Sequence, residues 1–295
     1  MVRVSRRDAG KLLLAGCAGA LVPARELLSE NKIDSMVRGV QIGAQAYSFR
    51  DRPLDECIAA FREVGLGECE LSEGHFQMAN THGPDLNQWR SETPLSYFKG
   101  VRKKFDVAGI SLSAYGYNIS PQLTDEMIER GFQATLAMGL NCITTTTRVS
   151  MVPRIDRYAQ KYKVMVGYHN HDKTSEPDEV ASAESFAHVL KGASPYARIN
   201  LDIGHFTAAN EDPVTFIREH NARIVTLHLK DRKRNHGPNM PFGQGDTPIV
   251  EVLRLLRDNQ WKIPANIEYE YGKPGLDPVA EVKKCYAYCR KALES

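Results

Sequence analysis

From Gly39 onward the chain alternates short apolar runs with longer stretches in which apolar residues recur every three or four positions. The short runs cover 40–47, 68–71, 109–114, 142–146, 164–169, 198–202, 224–228 and 266–270, and each reads as a strand. Helices are expected between and after them at 53–64, 95–105, 124–138, 152–162, 182–190, 213–219, 247–259 and 278–293. In the first of these, Leu54, Cys57, Ile58 and Phe61 fall on one helical face. Several helices carry start signals: Thr124, Asp212-Pro213, Asp246-Thr247-Pro248 and Asp277-Pro278.

Eight strand–helix units with short connections predict an α/β fold with a parallel sheet, and eight such units close into a (β/α)8 TIM barrel. The rival is an open, doubly wound sheet. It would carry a glycine-rich phosphate turn after its first strand, and Ala44-Gln45-Ala46-Tyr47-Ser48-Phe49-Arg50 is no such turn. The longest stretches without a helical pattern, 72–93 and 231–245, both follow strands, which in a barrel puts them on the active-site face.

Four strands in the second half end in polar signatures: Tyr168-His169-Asn170-His171, Asp202-Ile203-Gly204-His205, His228-Leu229-Lys230-Asp231 and Glu268-Tyr269-Glu270. Side chains alternate faces along a strand. Val225, Leu227 and Leu229 are therefore expected under the helices, with Thr226, His228 and Lys230 inside the barrel. By the same parity Asn200 pairs with Asp202, Glu268 with Glu270, and His169 with His171 behind Gly167. Any one of these residues alone reads as a satisfied core or surface group. Four strand ends delivering imidazoles and carboxylates to one face read instead as a divalent-metal site, because buried charge needs a partner or an ion.

The N-terminus is set apart from this pattern. Arg6-Arg7 precedes an apolar stretch, 12–22, and a small-residue site near Ala24, which reads as a twin-arginine-like export signal over 1–24. Ala9 and Gly10 stand where an aromatic and a leucine are usual. A linker over 25–38 and the barrel over 39–295 follow. The expected location is periplasmic, with a lipid-anchored variant through Cys17 as the alternative; an ordinary amphipathic helix is the bland reading of the same residues. The apolar stretch is short of the roughly 20 residues a membrane span needs.

Composition changes little. At 295 residues, 42% hydrophobic and 25% charged, the chain can bury a large core, and a formal charge of +2 gives no sign of nucleic acid or a membrane surface as partner. A small carbohydrate is the expected partner, and a homo-oligomer is compatible with the sequence. Outside the signal, Cys57, Cys69, Cys142, Cys285 and Cys289 form an odd set without Cys-x-x-Cys spacing, which argues against a disulfide framework.

The Asp202–Phe206 stretch, the run from Ile224 to Asp231, Gly243-Gln244-Gly245-Asp246 and Ile267-Glu268-Tyr269-Glu270, with Ile42-Gly43-Ala44-Gln45 and Cys69-Glu70-Leu71 upstream, resemble the xylose isomerase-like barrel family. That family groups sugar isomerases, epimerases and dehydratases with endonuclease IV-type repair enzymes. The resemblance implies one divalent ion held by Asp202, His228 and Glu268, with His169 in the fifth-strand place where a glutamate is common. Glu268 is preferred to Glu270 by family position alone. Two histidines and two carboxylates suit Mn, Zn or Co better than Mg. A metal-bound histidine is also a poor proton acceptor, which counts against two-base epimerisation.

The expected activity is therefore a metal-dependent sugar isomerase working through an enediolate on a free or keto sugar. A lyase or dehydratase using the same enolisation is the alternative, and a non-catalytic sugar-binding barrel is the alternative from another class. Glu270 or Glu70 would be the base, Lys230 would stabilise the oxyanion, and His171 and His205 would orient or shuttle protons. Tyr47, His75, His205 and Arg50 are the expected substrate contacts. Arg50 and Arg148 are also candidates for a phosphate, though exported chemistry favours an unphosphorylated substrate.

Overall fold

The structure is a computed structural model and describes residues 32–77, 84–272 and 275–295. The export signal, Cys17 and the first part of the expected linker lie outside the described residues. The strands in chain order are β1 (Met36–Val37), β2 (Val40–Gln45), β3 (Glu68–Ser72), β4 (Ser111–Gly116), β5 (Cys142–Thr145), β6 (Met165–His169), β7 (Ala197–Asp202), β8 (Ile224–Leu229), β9 (Asp231–Arg232), β10 (Asn239–Met240) and β11 (Ala265–Ile267). The helices are α1 (Leu54–Val64), α2 (Gly74–Gln77), α3 (Pro84–Glu92), α4 (Leu95–Ala108), α5 (Asp125–Ala137), α6 (Val152–Tyr162), α7 (Ala183–Leu190), α8 (Ile203–Ala208), α9 (Pro213–His220), α10 (Ile249–Asn259) and α11 (Pro278–Glu294).

All eight expected strands form, as β2 to β8 and β11, and they pair in parallel. β11 closes the ring onto β2 (Ala265 opposite Ile42, Ile267 opposite Ala44), and β2 pairs on its other side with β3. The fold is a TIM barrel. Its strands end at one mouth, so side chains that follow consecutive strands face a common space.

Alternation along each strand divides the residues between two environments. Leu201, Leu227, Leu229 and Ile267 are fully buried in the layer between strands and helices, each burial worth about 1.5–3 kcal/mol. Asn200, Asp202, His228, Lys230 and Glu268 are also buried, but inside the barrel. Val225 departs from the expected parity. The ladder pairs Ile199 with Ile224 and Asn200 with Thr226, which skips Val225, and a Cβ on Gly167 would lie 2.7 Å from its Cγ2. The irregularity turns Val225 toward the interior near the barrel floor.

Two further differences matter for the site. The stretch 72–93, expected to lack helices, contains α2 and α3, whose Phe76 and Trp89 lie 5.7 Å apart in a cluster with Tyr97 and Phe98. Buried Arg90 donates from Nε to Glu73 at 3.1 Å and ties the two helices together. These helices are short and held by tertiary packing, so periodicity is a weak signal for them. Met36–Val37, within the expected linker, pairs antiparallel with the start of β2. Thr124, Asp212 and Asp277 cap their helices through side-chain oxygens, whereas α10 starts after Pro248 with no side-chain cap. The five described cysteines are buried and free. No helix among the described residues is long and apolar enough to cross a membrane.

Candidate metal centre and active site

At the barrel mouth, one ligand atom each from His169, Asp202, His228 and Glu268 lies within 4.8 Å of the others, and all four residues are buried. Metal–ligand distances of about 2.0–2.2 Å put any two ligands of one ion no more than about 4.4 Å apart, so the set lies close to the spacing an ion would impose.

The donor atoms of His169, Asp202 and Glu268 have the character that ligation requires, and His228 must give up a ring proton to join them. Both ring nitrogens of His169 are buried without a hydrogen-bond partner, and Oδ2 of Asp202 meets only the Lys230 ammonium, at 3.0 Å. Burial lowers the His169 pKa to about 4, which keeps one ring lone pair free near neutrality. Burial opposes ionisation of Asp202 and Glu268, but Lys230 offsets this at both, helped by His205 at Asp202 and by His228 at Glu268. Both carboxyls are held well below the usual range. For His228 burial works downward and the flanking carboxylates of Glu70 and Glu268 outweigh it, raising its pKa well above the ordinary value. Orphaned acceptors beside ionised carboxylates fit a divalent cation.

Local sequence explains the placement. Asp202 ends β7 and caps α8, its Oδ1 accepting from the backbone N of His205 at 2.7 Å, which leaves Oδ2 turned inward. Asn170 brackets this strand end: its amide donates to the Asp202 carbonyl at 3.1 Å and its carbonyl accepts the Asp202 N–H at 2.9 Å. A Cβ at Gly204 would sit 2.6 Å from the Lys230 carbonyl oxygen, so only glycine lets α8 start this close to the end of β8. Ser48 secures the last strand end, donating to Ile267 O at 3.0 Å and accepting from Tyr269 N at 2.9 Å.

Lys230 sits in the same nest. Its Nζ lies 3.0 Å from Asp202 Oδ2, 2.9 Å from Glu268 Oε2 and 2.7 Å from Glu270 Oε2, and 2.9 Å from His205 Nε2. Burial disfavours its charge, but the three carboxylates hold it protonated. A cavity of about 340 Å³ opens above, within the usual size of small-molecule sites. Tyr47, His171, His205, Lys230 and Glu270 all line it.

Three expected roles change. His75 is buried away from the cavity, its Nε2 and Nδ1 facing the carbonyls of Ala46 at 2.8 Å and Arg52 at 2.9 Å, so it fastens the loop after β2 and contacts no substrate space. Arg50 donates to the Tyr269 carbonyl at 2.8 Å and stacks over Tyr47, which makes it a brace for the last strand end. Glu70 borders the cavity floor but is fully buried, with donors at both oxygens, a poor setting for a proton-abstracting base. Arg148 is paired with Glu176 at 2.7 Å and Glu179 at 2.6 Å. Sequence reasoning passed over Glu179, whose Oε1 lies 2.7 Å from His171 Nδ1. No strand-end pattern marks it; it sits in an irregular segment, eight residues beyond its partner.

The comparisons with known proteins agree with this geometry. Residues 149–291 match the family model of the xylose isomerase-like TIM barrel. The matched stretch is a little under half of the chain. It contains the four candidate ligands and the His171–Glu179 pair. The chain is 29% identical over 107 residues to the L-ribulose-5-phosphate 3-epimerase UlaE of Escherichia coli, covering 36% of this chain and 37% of that one. It thus spans little more than a third of that relative's length. Among solved structures, a sugar phosphate isomerase/epimerase from Parabacteroides distasonis superposes with a TM-score of 0.64 at 19% identity, covering 90% of this chain and 99% of the other. D-psicose 3-epimerase with D-tagatose from Clostridium cellulolyticum gives 0.64 at 13% identity, over 87% of this chain and all of that one. The two solved structures share the TIM-barrel fold with this chain.

Proposed function

We propose that this protein is a divalent-metal-dependent sugar isomerase acting on an unphosphorylated free or keto sugar. The observation that carries the reading is the buried His169, Asp202, His228 and Glu268 set at the barrel mouth, with the His169 ring nitrogens unpartnered, beneath a cavity of sugar-binding size. A divalent ion bound by these residues supplies a Lewis acid that polarises a sugar carbonyl and acidifies the neighbouring C–H. Mn, Zn or Co suits the mixed nitrogen and oxygen donors.

The chain's own residues divide the remaining work. Glu270, partly exposed on the cavity wall, removes the proton from the carbon beside the carbonyl. The Lys230 ammonium, 2.7 Å from Glu270 Oε2, stabilises the negative charge of the resulting enediolate. Glu270, in exchange with solvent, delivers a proton to the former carbonyl carbon as the neighbouring hydroxyl proton passes to the old carbonyl oxygen, and Tyr47 and His205 orient the hydroxyls. A histidine stands at the fifth-strand position, so a pair of metal-bound carboxylates on opposite faces of the substrate is missing, and one-base isomerisation fits better than two-base epimerisation.

The His171–Glu179 pair favours a second reading. With Nδ1 hydrogen-bonded to Glu179, His171 can offer a proton from Nε2 to a departing β-oxygen, and the same enolisation then ends in elimination. For the substrate, Lys230 is the one lysine or arginine on the cavity wall among the described residues, and its ammonium is engaged by three carboxylates. Arg50 and Arg148 are committed elsewhere. This disfavours a phosphorylated sugar, and it fits the export and periplasmic location read from Arg6-Arg7.

The test is turnover of free and 3-keto sugars by wild-type protein with added Mn²⁺, alongside the phosphorylated counterparts. Conversion of an unphosphorylated sugar that stops in chelator and in Glu268→Gln is the expected result. Turnover confined to phosphosugars, or binding of sugar and metal with no conversion of any substrate, would contradict it.

A further inference from the structure

Glu70 lies on β3, across the barrel from the second-half signatures, and belongs to none of the four candidate ligands. Its Oε1 accepts from Thr144 Oγ1 at 2.6 Å and from Gln45 Nε2 at 3.2 Å, with Asn200 Nδ2 at 3.5 Å. Its Oε2 lies 2.9 Å from Nε2 of His228. The other ring nitrogen of His228, Nδ1, lies 3.1 Å from Glu268 Oε2, on the side of the ligand cluster. A neutral imidazole has one N–H and one lone pair, and the partner of one nitrogen decides what the other can do.

We propose that Glu70 is a positioning residue that accepts the Nε2 proton of His228 and so presents the Nδ1 lone pair to the metal. This rests on the metal-site reading above. Gln45, Thr144 and Asn200 come from three other strands and fix the carboxylate, so its direction is set by the barrel itself. Asn200 Nδ2 also approaches His228 Nε2, at 3.2 Å, and would favour the opposite tautomer. The ionised carboxylate is nearer and is the stronger partner, so it decides the proton's place. Gln45 extends the arrangement to the mouth: while its Nε2 donates to Glu70, its Oε1 accepts from the backbone N of Tyr47 at 2.8 Å. Partners of this kind orient a ligating histidine and raise its basicity.

The experiment measures Zn²⁺ affinity by calorimetry for wild type, Glu70→Gln and Thr144→Val, with ¹⁵N spectra of the histidines in the zinc-loaded wild type. The expected results are an Nε2-protonated, Nδ1-bound His228 and an affinity loss of about 10–100-fold in Glu70→Gln. Thr144→Val touches Glu70 but not His228, and a smaller loss in the same direction is expected there. It carries the affinity test if Glu70→Gln fails to fold. Unchanged affinity in the folded variants, or a His228 bound through Nε2, overturns the proposal while leaving the metal site standing. Full Zn²⁺ affinity with lost turnover in Glu70→Gln does the same and makes Glu70 a base. A wild type that binds no Zn²⁺ overturns the metal reading and this proposal together.

Discussion

Single residues in this barrel show how one strand can serve both chemistry and core. Glu68 and Glu70 lie two positions apart on β3 and both point inward, yet they differ in charge state. Glu70 is ringed by donors. Neither oxygen of Glu68 has a hydrogen bond of good geometry, and burial raises its pKa to about 8. A Cβ at Gly43 would lie 1.6 Å from Glu68 Oε2, so the carboxyl occupies space that only glycine leaves open. The folded protein therefore keeps a proton on Glu68 that the unfolded chain gives up near its ordinary value of about 4.3. Stability should fall as pH rises between about 4.5 and 8, and level off above that. Glu68→Gln should flatten this decline and stabilise the protein at pH 8 by on the order of a few kcal/mol, read from denaturant midpoints across the range. A parallel pH profile for variant and wild type would refute the assignment.

At the scale of elements, the period of the sequence carried most of the information. Strands that bury one face under helices and offer the other to the barrel interior leave a clear alternation, and all eight were legible, as were the principal helices. The four candidate ligands were readable because they sit where that alternation reaches the strand ends. What escaped was set by tertiary context. Val225 turns inward because the ladder skips it, α2 and α3 are held by an aromatic cluster, and Arg50 and His75 became braces because nearby backbone carbonyls claimed their donors. Glu179 escaped because its pairing with His171 depends on how an irregular segment folds back. Caps were better indicators: Asp212 accepts from the backbone N–H groups of Val214 at 3.0 Å and Thr215 at 3.3 Å. Asp212→Ala should cost about 1 kcal/mol at neutral pH. The Thr215 hydroxyl holds its carboxyl below the ordinary value, so the contribution is present above about pH 4 and is lost as pH falls through the lowered value. Equal destabilisation at pH 7 and pH 2 would contradict the cap.

For the whole molecule, the candidate metal centre joins β6, β7, β8 and the segment after β11, so an ion bound there would tie successive barrel units together. Ligand linkage gives about 2.7 kcal/mol at an ion concentration a hundredfold above Kd. At about 2–4 °C per kcal/mol for a domain of this size, Mn²⁺ or Zn²⁺ should raise Tm by roughly 5 °C or more. The rise should vanish in chelator and be much reduced in Glu268→Gln. An unaltered melting curve in all three conditions would count against the site.

The proposed isomerase and lyase readings share the first step, removal of a proton from the carbon beside a carbonyl that a bound ion would polarise. Solvent exchange reads that step directly. Metal-loaded protein incubated in D₂O with unphosphorylated ketoses and 3-keto sugars should place deuterium at a carbon adjacent to the carbonyl, seen by NMR. The exchange should disappear on chelation and in Glu268→Gln. No incorporation by the metal-loaded wild type into any of these sugars, or incorporation that survives removal of the metal, would contradict the account.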